Sequence, residues 1–229
     1  RKLAHEIKNP LTPMQLTLDR MKSKYMTQID NNDQEIFRDN LKILNNQIKQ
    51  IENLVNEFSD FARMPKPIFK DNNLVIILTD NIKLLSEIDG SIRIKLKNNS
   101  DKIILNCDKE QLSRVFFNLI KNSIESIQQK TEKNPNFNKK ISIEISSEND
   151  HINFVLVDNG IGLSSFKNLK DILNPYFTTK KNGTGLGLSI VNKIINDHNG
   201  NIKFIPIQDG AKIEINFYLN GNRNTNSWW

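Results

Sequence analysis

The first 62 residues place apolar side chains at alternating steps of three and four positions. This heptad spacing puts them along one side of a helix, as in helices that pack on each other along a seam. The first run consists of Ala4, Ile7, Leu11, Met14, Leu18, Met21 and Tyr25. The second run consists of Phe37, Leu41, Leu44, Ile48, Ile51, Val55, Phe58 and Ala62. A polar stretch, TQIDNNDQE, separates them at 27–35, so the pattern predicts an antiparallel helical hairpin.

One hairpin buries only one seam and leaves part of its apolar surface exposed. A second copy of the chain would cover that surface and complete a four-helix bundle, so we expect a homodimer. The alternative is a hairpin that packs on the C-terminal part of its own chain.

The pattern changes after RMPKPIFK, at 63–70, where proline ends the second helix and a linker is predicted. Four later stretches alternate apolar and polar residues, which is typical of strands, at 91–98, 140–148, 151–158 and 210–219. Helices are predicted at about 76–87, 109–129 and 185–198. The chain is therefore predicted to be an α+β protein. It divides into a hairpin at 1–63, a linker at 64–70, a mixed domain at 71–221 and a tail at 222–229.

Composition narrows the classes of function. The formal net charge is +6, but the 32 basic residues are scattered among 26 acidic ones, which argues against nucleic-acid binding. The single cysteine, Cys107, cannot form a disulfide within the chain, which fits a reducing compartment. No apolar run approaches the roughly 18 residues of a membrane helix. There is no initiator methionine or signal peptide, so we expect the C-terminal piece of a longer protein.

The stretch HEIKNPLTP, at 5–13, raises a question of chemistry. His5 falls outside the seam, Glu6 is its neighbour, and Asn9 follows one helical turn later. The Glu6 carboxylate can take the Nδ1 proton of the imidazole and leave Nε2 nucleophilic. Pro10 removes a backbone donor inside a helix at a cost of about 3 kcal/mol, and such strain is often kept where a bend is needed. On this stretch alone, a chemical role and an inert surface histidine are equally open.

Three stretches of the second half suit a nucleotide. In NLIKNSIES, at 118–126, Asn118 and Asn122 share a helix face, and amide oxygens are acceptable ligands for magnesium. In DNGIG, at 158–162, a carboxylate at Asp158 suits the exocyclic amine of adenine and disfavours the carbonyl of guanine. Gly160 and Gly162 permit close approach of the backbone.

The third stretch is NGTGLGLS, at 182–189, where Gly183, Gly185 and Gly187 run into a helix and offer backbone amides to phosphate. The spacing matches neither a dinucleotide fingerprint nor a P-loop. About 20 residues separate the two glycine stretches, which is long enough for a mobile lid with Lys180 and Lys181 near the phosphates.

Taken together, these stretches resemble the boxes of the sensor histidine kinases of two-component signalling. HEIKNPLTP looks like the H box, NLIKNSIES the N box, DNGIG the first glycine box, PYFTTK the F box and GTGLGL the second glycine box. They occur in the family's order and span nearly the whole chain. HEIKNPLTPMQL and EFSDFARMPKP are also similar to the nitrogen-regulation kinases of the NtrY type.

The resemblance implies a dimerisation and phosphotransfer hairpin, followed by a Bergerat-type α/β sandwich that binds ATP and Mg²⁺. It implies ATP-dependent autophosphorylation, transfer to an aspartate of a separate response regulator, with the NtrX type as the candidate, and phosphatase activity toward that regulator. The full protein would be anchored in a bacterial inner membrane through its missing N-terminal part, with this region in the cytoplasm.

The resemblance also implies a role for each site residue. His5 would accept the phosphoryl group, Glu6 would activate it, and Asn9 would orient water for dephosphorylation. Asn122 would ligate magnesium. The remaining ATP-binding positions would be Asn118, Lys121, Asp158, Gly160, Gly162, Phe177, Lys180, Gly183, Thr184, Gly185, Leu186 and Gly187.

Two departures and two alternatives accompany the resemblance. Ser123 stands where the family usually has alanine, and only four residues precede His5, so we expect a frayed helix there and weak autophosphorylation. A signalling module that binds nucleotide without kinase activity is one alternative. A Bergerat-fold ATPase that is not a kinase is the other.

Overall fold

The computed structural model describes residues 2–62, 64–163, 168–180 and 183–219, without the side chains of 2–5, 31–32 and 60–62. Lys181 and the tail predicted at 222–229 lie outside the described residues. The chain divides into two compact units. The first is Arg1–Pro65 together with Thr178–Leu186, and the second is Lys66–Phe177 together with Gly187–Trp229.

The first unit contains two long helices, α1 (Lys2–Tyr25) and α2 (Asn31–Ala62), which pack against each other as a hairpin. In the short connection, the N–H groups of Gln28 and Ile29 donate to the carbonyl of Tyr25 at 3.0 and 3.1 Å. Helix α2 begins inside the stretch predicted as a polar turn. The N–H groups of Asp33 and Gln34 already donate to the carbonyl of Asp30, at 2.8 and 3.1 Å.

Only every second position of the predicted seam is buried within the hairpin. The buried positions repeat every seven residues and are Leu11, Leu18, Leu41, Ile48 and Val55. The positions between them are exposed, namely Ile7, Met14, Met21, Leu44 and Ile51. Within the hairpin, one line of the predicted seam therefore faces the other helix, whereas the second line is largely exposed, apart from Phe37, which packs against the buried side chains. The expected exposed apolar surface is confirmed.

The second unit is built on a five-stranded sheet in the order β2-β4-β5-β7-β6. Its strands are β2 (Arg93–Asn98), β4 (Lys140–Ser147), β5 (His151–Asp158), β6 (Gly200–Ile207) and β7 (Gly210–Tyr218). Strands β2 and β4 are parallel, and the other pairs are antiparallel. A separate antiparallel pair is formed by β1 (Lys70–Asn73) and β3 (Ile104–Cys107).

Three helices cover one face of this sheet: α3 (Leu74–Ser86), α4 (Lys109–Lys133) and α5 (Gly187–Asp197). The Asn73 side chain accepts the N–H of Val75 and caps α3, and the Asp108 carboxylate accepts the N–H of Gln111 and caps α4. In β4, β5 and β7, every second side chain is buried on the helix-covered face, and most of these are apolar, whereas the side chains between them are mostly polar and point to the opposite face. This helix-on-sheet core confirms the predicted α+β class.

Some elements differ from the sequence-based expectations. Strands β1, β3 and β6 and a short 3-10 helix (Leu169–Leu173) were not predicted, and α4 runs four residues beyond its predicted end. Within the predicted linker, the N–H of Ile68 donates to the Asp108 carboxylate at 2.8 Å, and Phe69 lies 5.1 Å from the His198 ring. Among the described residues, none of the helices combines the length and apolar character needed to cross a bilayer.

Candidate functional site

The predicted phosphoacceptor stretch lies in the first half of α1. His5 belongs to this helix, but its side chain is outside the described residues, whereas Glu6 and Asn9 are exposed. The helix runs through both Pro10 and Pro13. A proline has no N–H for the carbonyl four residues earlier, so these two prolines withdraw the helical donors from the carbonyls of Glu6 and Asn9. The backbone beside the predicted site residues is therefore only partly hydrogen-bonded by the helix.

Helix α4 presents the two asparagines predicted to meet the nucleotide. Asn118 and Asn122 are four residues apart and half-buried, while the apolar side chains between them, such as Leu119, are fully buried. Gly187, the first residue of α5, lies close by: a Cβ there would be 3.9 Å from Oδ1 of Asn118. Lys121 is half-exposed. The structure thus brings Asn118 and Gly187 together.

Asp158 ends strand β5 and points to the helical side of the sheet, with only 3% of its surface exposed. Its Oδ1 accepts the N–H of Gly160 at 2.9 Å, and its Oδ2 accepts the Ser123 hydroxyl at 2.9 Å. Burial raises the pKa of the Asp158 carboxyl, and these two donors oppose that rise. Asp158 is therefore a buried acceptor with both oxygens held in fixed directions.

The turn after Asp158 is fastened to α4. The hydroxyl of Ser126 accepts the N–H of Ile161 at 3.1 Å, and the Lys130 ammonium donates to the carbonyl of Asn159 at 2.9 Å. Gly160 is required here because a Cβ would lie 2.2 Å from the Ser126 hydroxyl oxygen. Gly162 has a φ of +77°, and a Cβ there would lie 2.7 Å from the carbonyl oxygen of Gly210.

The remaining predicted residues lie before α5. Phe177 belongs to the second unit, is partly exposed, and donates its N–H to the carbonyl of Asn174. The others belong to the first unit: Lys180, Gly183, Thr184, Gly185 and Leu186. There, the N–H of Gly183 donates to the carbonyl of Lys180 at 3.2 Å, and the Thr184 hydroxyl donates to the Glu57 carboxylate.

Three polar residues of α4 were not predicted as part of the site: Ser123, Ser126 and Lys130. They are spaced by three and four residues and therefore share one helix face. The spacing can be seen in the sequence, but the sequence does not indicate that these three side chains contact Asp158 and the turn after it.

The described donors do not form a metal cage. Among the residues that the structure describes, no three His, Cys, Asp or Glu side chains converge on one point. A magnesium ion normally retains waters and takes only one or two protein ligands together with phosphate oxygens. The half-buried amide of Asn122 fits that limited role.

Two family models match the chain. The model described as His Kinase A (phospho-acceptor) domain matches residues 1–67. The model described as Histidine kinase-, DNA gyrase B-, and HSP90-like ATPase matches residues 107–221, which is half of the chain. The second part of the chain is therefore an ATP-binding domain of this class.

Similar proteins cover nearly all of the chain. An NtrY-like sensor histidine kinase of Rickettsia felis is 33% identical over 220 residues, which are 96% of this chain and 35% of that protein. Nitrogen regulation protein NtrY of Azorhizobium caulinodans is 32% identical over 96% of this chain and 28% of its own length. The chain thus spans about a third of the length of these curated relatives.

Solved structures agree on the fold. Histidine kinase ThkA in complex with response regulator protein TrrA matches with a TM-score of 0.68 and 24% identity over 97% of this chain and 61% of that one. The nucleotide-free catalytic domain of ThkA matches with a TM-score of 0.58 and 26% identity over 66% of this chain and 96% of that one. From the order of the two domains and the NtrY relatives along almost its whole length, this chain belongs to the sensor histidine kinase family, of the NtrY type.

Proposed function

We propose that this chain is the catalytic part of a sensor kinase that phosphorylates its own His5 with ATP and passes the phosphoryl group to an aspartate of a separate response regulator. The observation that carries this proposal is Asp158, a buried acceptor with fixed oxygens at the end of β5. An acceptor held in this way suits the amine of adenine. The match of residues 1–67 to the phospho-acceptor family model supports His5 as the group that receives the phosphoryl group.

The division of labour follows the predicted boundaries. Residues 1–63 would carry the phosphoacceptor, 64–70 would link the domains, and 71–221 would hold ATP through the twelve ATP-binding positions other than Asn122. The glycines from Gly183 to Gly187 would offer backbone amides to the phosphates, and Phe177 would anchor the lid.

The proposed chemistry consists of two phosphoryl transfers, from ATP to His5 and from His5 to an aspartate of the regulator. Nε2 of His5, with its lone pair, attacks the γ-phosphorus in line with the leaving oxygen, so that the N–P bond forms as the P–O bond to ADP breaks. ADP leaves with the electron pair, and Glu6 accepts the Nδ1 proton of the imidazole. The aspartate of the regulator then attacks the same phosphorus and releases neutral imidazole as the proton returns.

Asn122 would hold magnesium, which when bound would neutralise charge on the phosphate oxygens. Lys121 and Lys180 would add positive charge at the same end of the nucleotide. Asn9 is exposed one turn beyond His5 on α1, where its amide can orient a water molecule toward the phosphoaspartate of the regulator. This placement favours a second activity, as a phosphatase of the regulator.

The partners follow from the surfaces and relatives. The exposed apolar line of the hairpin favours a homodimer. The ThkA structure contains a response regulator protein, and we propose a regulator for this chain too, of the NtrX type. We also propose that the full protein is anchored in a bacterial inner membrane, with this region in the cytoplasm.

The test is incubation with γ-labelled ATP and magnesium, comparing the wild type with His5→Gln. Acid-labile, alkali-stable label on the wild type alone is the expected result. Label that persists in His5→Gln would contradict His5 as the acceptor. If neither protein is labelled although calorimetry shows ATP binding, the comparison is repeated with additional residues placed before Arg1, so that the helix around His5 is extended. Label on that longer protein assigns the loss to the frayed helix, and no label on it contradicts the kinase proposal.

A further inference from the structure

Ser123 connects the nucleotide-facing helix to the predicted adenine acceptor. It follows Asn122 on α4, is 2% exposed, and donates its hydroxyl proton to Oδ2 of Asp158 at 2.9 Å. The hydroxyl bonds a side chain of β5 and not the backbone of α4, so the helical hydrogen bonds of α4 do not depend on it. A serine at this position therefore adds an interaction that the backbone does not need.

The hydrogen bond from Ser123 holds Oδ2 of Asp158, the oxygen that does not accept the N–H of Gly160. Gly160 already donates its N–H to Oδ1, at 2.9 Å. An ionised carboxylate offers about four acceptor sites, so one donor on each oxygen sets the plane of the group and leaves acceptor sites for a ligand. Without the hydroxyl, Oδ2 would lose its donor from α4.

The charged groups around Asp158 do not replace this hydroxyl. Lys130 approaches from α4, but its ammonium is bonded to the carbonyl of Asn159 and to Asp209 in the turn between β6 and β7. From β7, the backbone N–H of Ala211 also faces the carboxylate and favours its ionised form. Among the described residues, Ser123 is thus the neutral side chain that donates directly to the carboxylate.

We propose that Ser123 is a positioning residue for base selection: its hydroxyl orients the Asp158 carboxylate toward the exocyclic amine of adenine. The proposal rests on the role proposed above for Asp158. Ser123 is not a catalytic residue, since it acts only through its neighbour. It makes the preference for adenine stronger than Asp158 would provide with an alanine beside it.

The test compares two triphosphates that differ only in the amine. ATP carries it and purine riboside triphosphate lacks it, so the ratio of their dissociation constants reports the Asp158–amine contact alone. Ser123→Ala should weaken ATP about tenfold, in line with the loss of a hydrogen bond to a charged group. It should change binding of the analogue by less than about twofold. Ser123→Thr, which keeps the hydroxyl, should restore the ratio.

Ser113→Ala is the matched control. Ser113 lies on the same helix, about 15 Å away, and its hydroxyl accepts the side-chain N–H of the buried Asn81 at 3.0 Å. Ser113→Ala should leave the ratio of the two dissociation constants unchanged. Should Ser123→Ala fail to fold, Ser123→Cys gives the same comparison with a side chain of nearly equal size and a weaker donor.

The pH dependence separates positioning from packing. Protonation of Asp158 removes acceptor capacity, so the preference for ATP should fall as the pH is lowered. The Ser123 hydroxyl favours the ionised form, and Ser123→Ala should therefore move the midpoint of that fall to higher pH. Titration of the phosphates cancels because both ligands carry the same triphosphate.

Asp158→Asn distinguishes the two proposals. If Asp158→Asn removes the preference for ATP and Ser123→Ala leaves it intact, Ser123 only packs and the inference is overturned while the proposed role of Asp158 stands. Equal weakening of both ligands by Ser123→Ala overturns it in the same way. If Asp158→Asn also leaves the ratio unchanged, Asp158 does not recognise the amine of adenine. The roles proposed for Asp158 and for Ser123 are then both wrong.

Discussion

The two units of the chain differ in how completely they bury their apolar residues. Among the described side chains of the hairpin, five apolar ones are buried, each retaining 3–8% exposure, and many on the second line are exposed. In the second unit, side chains such as Phe116, Phe154 and Phe217 are fully buried. Because burial of apolar surface is the main favourable term in folding, the second unit gains more from its own core, whereas the hairpin leaves apolar surface that burial against a partner would stabilise.

The same contrast holds for the candidate chemistry. On the hairpin, Glu6 and Asn9 are exposed. In the second unit, Asp158 and Ser123 are buried and hydrogen-bonded to each other. A phosphoacceptor must be reached by a nucleotide and by a partner protein, which suits an exposed helix. A base-reading carboxylate works best where water cannot compete.

The largest expected effect is the loss of a core side chain from the second unit. Phe154→Ala removes a fully buried ring that lies 5.1 Å from the ring of Phe116, and should lower the free energy of unfolding by about 3–5 kcal/mol. Hydrogen exchange resolved along the chain should show the loss in 66–177 and not in α1 and α2. Val155→Ala, on the opposite face of β5, is the control and should cost about 1 kcal/mol. Equal loss in both units would contradict their independence.

A charge on the exposed line of the hairpin should have the next largest effect. Ile51→Glu places a carboxylate where two copies would bury an isoleucine, and should weaken the dimer by about 3 kcal/mol for the two copies together. Sedimentation equilibrium should show monomers at concentrations where the wild type is dimeric, with ATP affinity unchanged.

The control for Ile51→Glu is Gln47→Glu, which adds the same charge at an exposed polar position of α2. It should leave the dimer intact. If Ile51→Glu stays dimeric, the exposed apolar line is not the interface, and the alternative of a hairpin packed on its own chain gains support.

The sequence predicted long and strongly patterned elements well, but not short or polar ones. The heptads of α1 and α2 and the alternation in β5 and β7 match the structure. Strand β1 (Lys70–Asn73) consists of polar residues only, so its pairing with β3 is set by tertiary neighbours. Strand β6 contains Pro206, which normally argues against a strand and is tolerated here because β6 is at the edge of the sheet.

Within the site, the sequence predicted the residues that face a ligand better than those that support them. Asp158 and its glycines form a recognisable turn. Ser123, Ser126 and Lys130 were missed because their partners are about 30 residues away along the chain. The residues next to a helical serine in the sequence do not show whether its hydroxyl faces water or a carboxylate.

A histidine should make the stability of the second unit depend on pH. His198 is buried, its Nε2 accepts the N–H of Asp108 at 3.0 Å, and its Nδ1 lies 2.8 Å from the carbonyl of Ile194. Burial lowers the pKa of His198, although Asp108 and Asp197 oppose this. The unfolded chain takes up a proton near pH 6.5 and the folded chain resists it. Stability should therefore be complete above that pH and fall as the pH drops toward the lowered pKa.

His198→Gln should reduce the free energy of unfolding by about 2 kcal/mol at pH 8 and flatten its decrease between pH 6.5 and 5. Urea unfolding at pH 8 and across the range from pH 6.5 to 5 measures both effects. His151→Gln is the control, because His151 is only half-buried and lies beside Asp150 at the start of β5. An unchanged slope in His198→Gln would assign the pH dependence to other groups.

The smallest expected effect concerns a polar residue on the inner side of the hairpin. Asn45 lies four residues after Leu41 and three before Ile48, and its Oδ1 is buried without a hydrogen-bond partner among the described residues. Asn45→Leu should raise the free energy of unfolding of the hairpin by about 1 kcal/mol, measured by thermal unfolding, because the unsatisfied oxygen is removed. Asn46→Leu, at the exposed neighbouring position, should not. If Asn45→Leu instead destabilises the protein, a second copy supplies the missing donor, and Asn45 fixes the register of the dimer as a buried asparagine does in coiled coils.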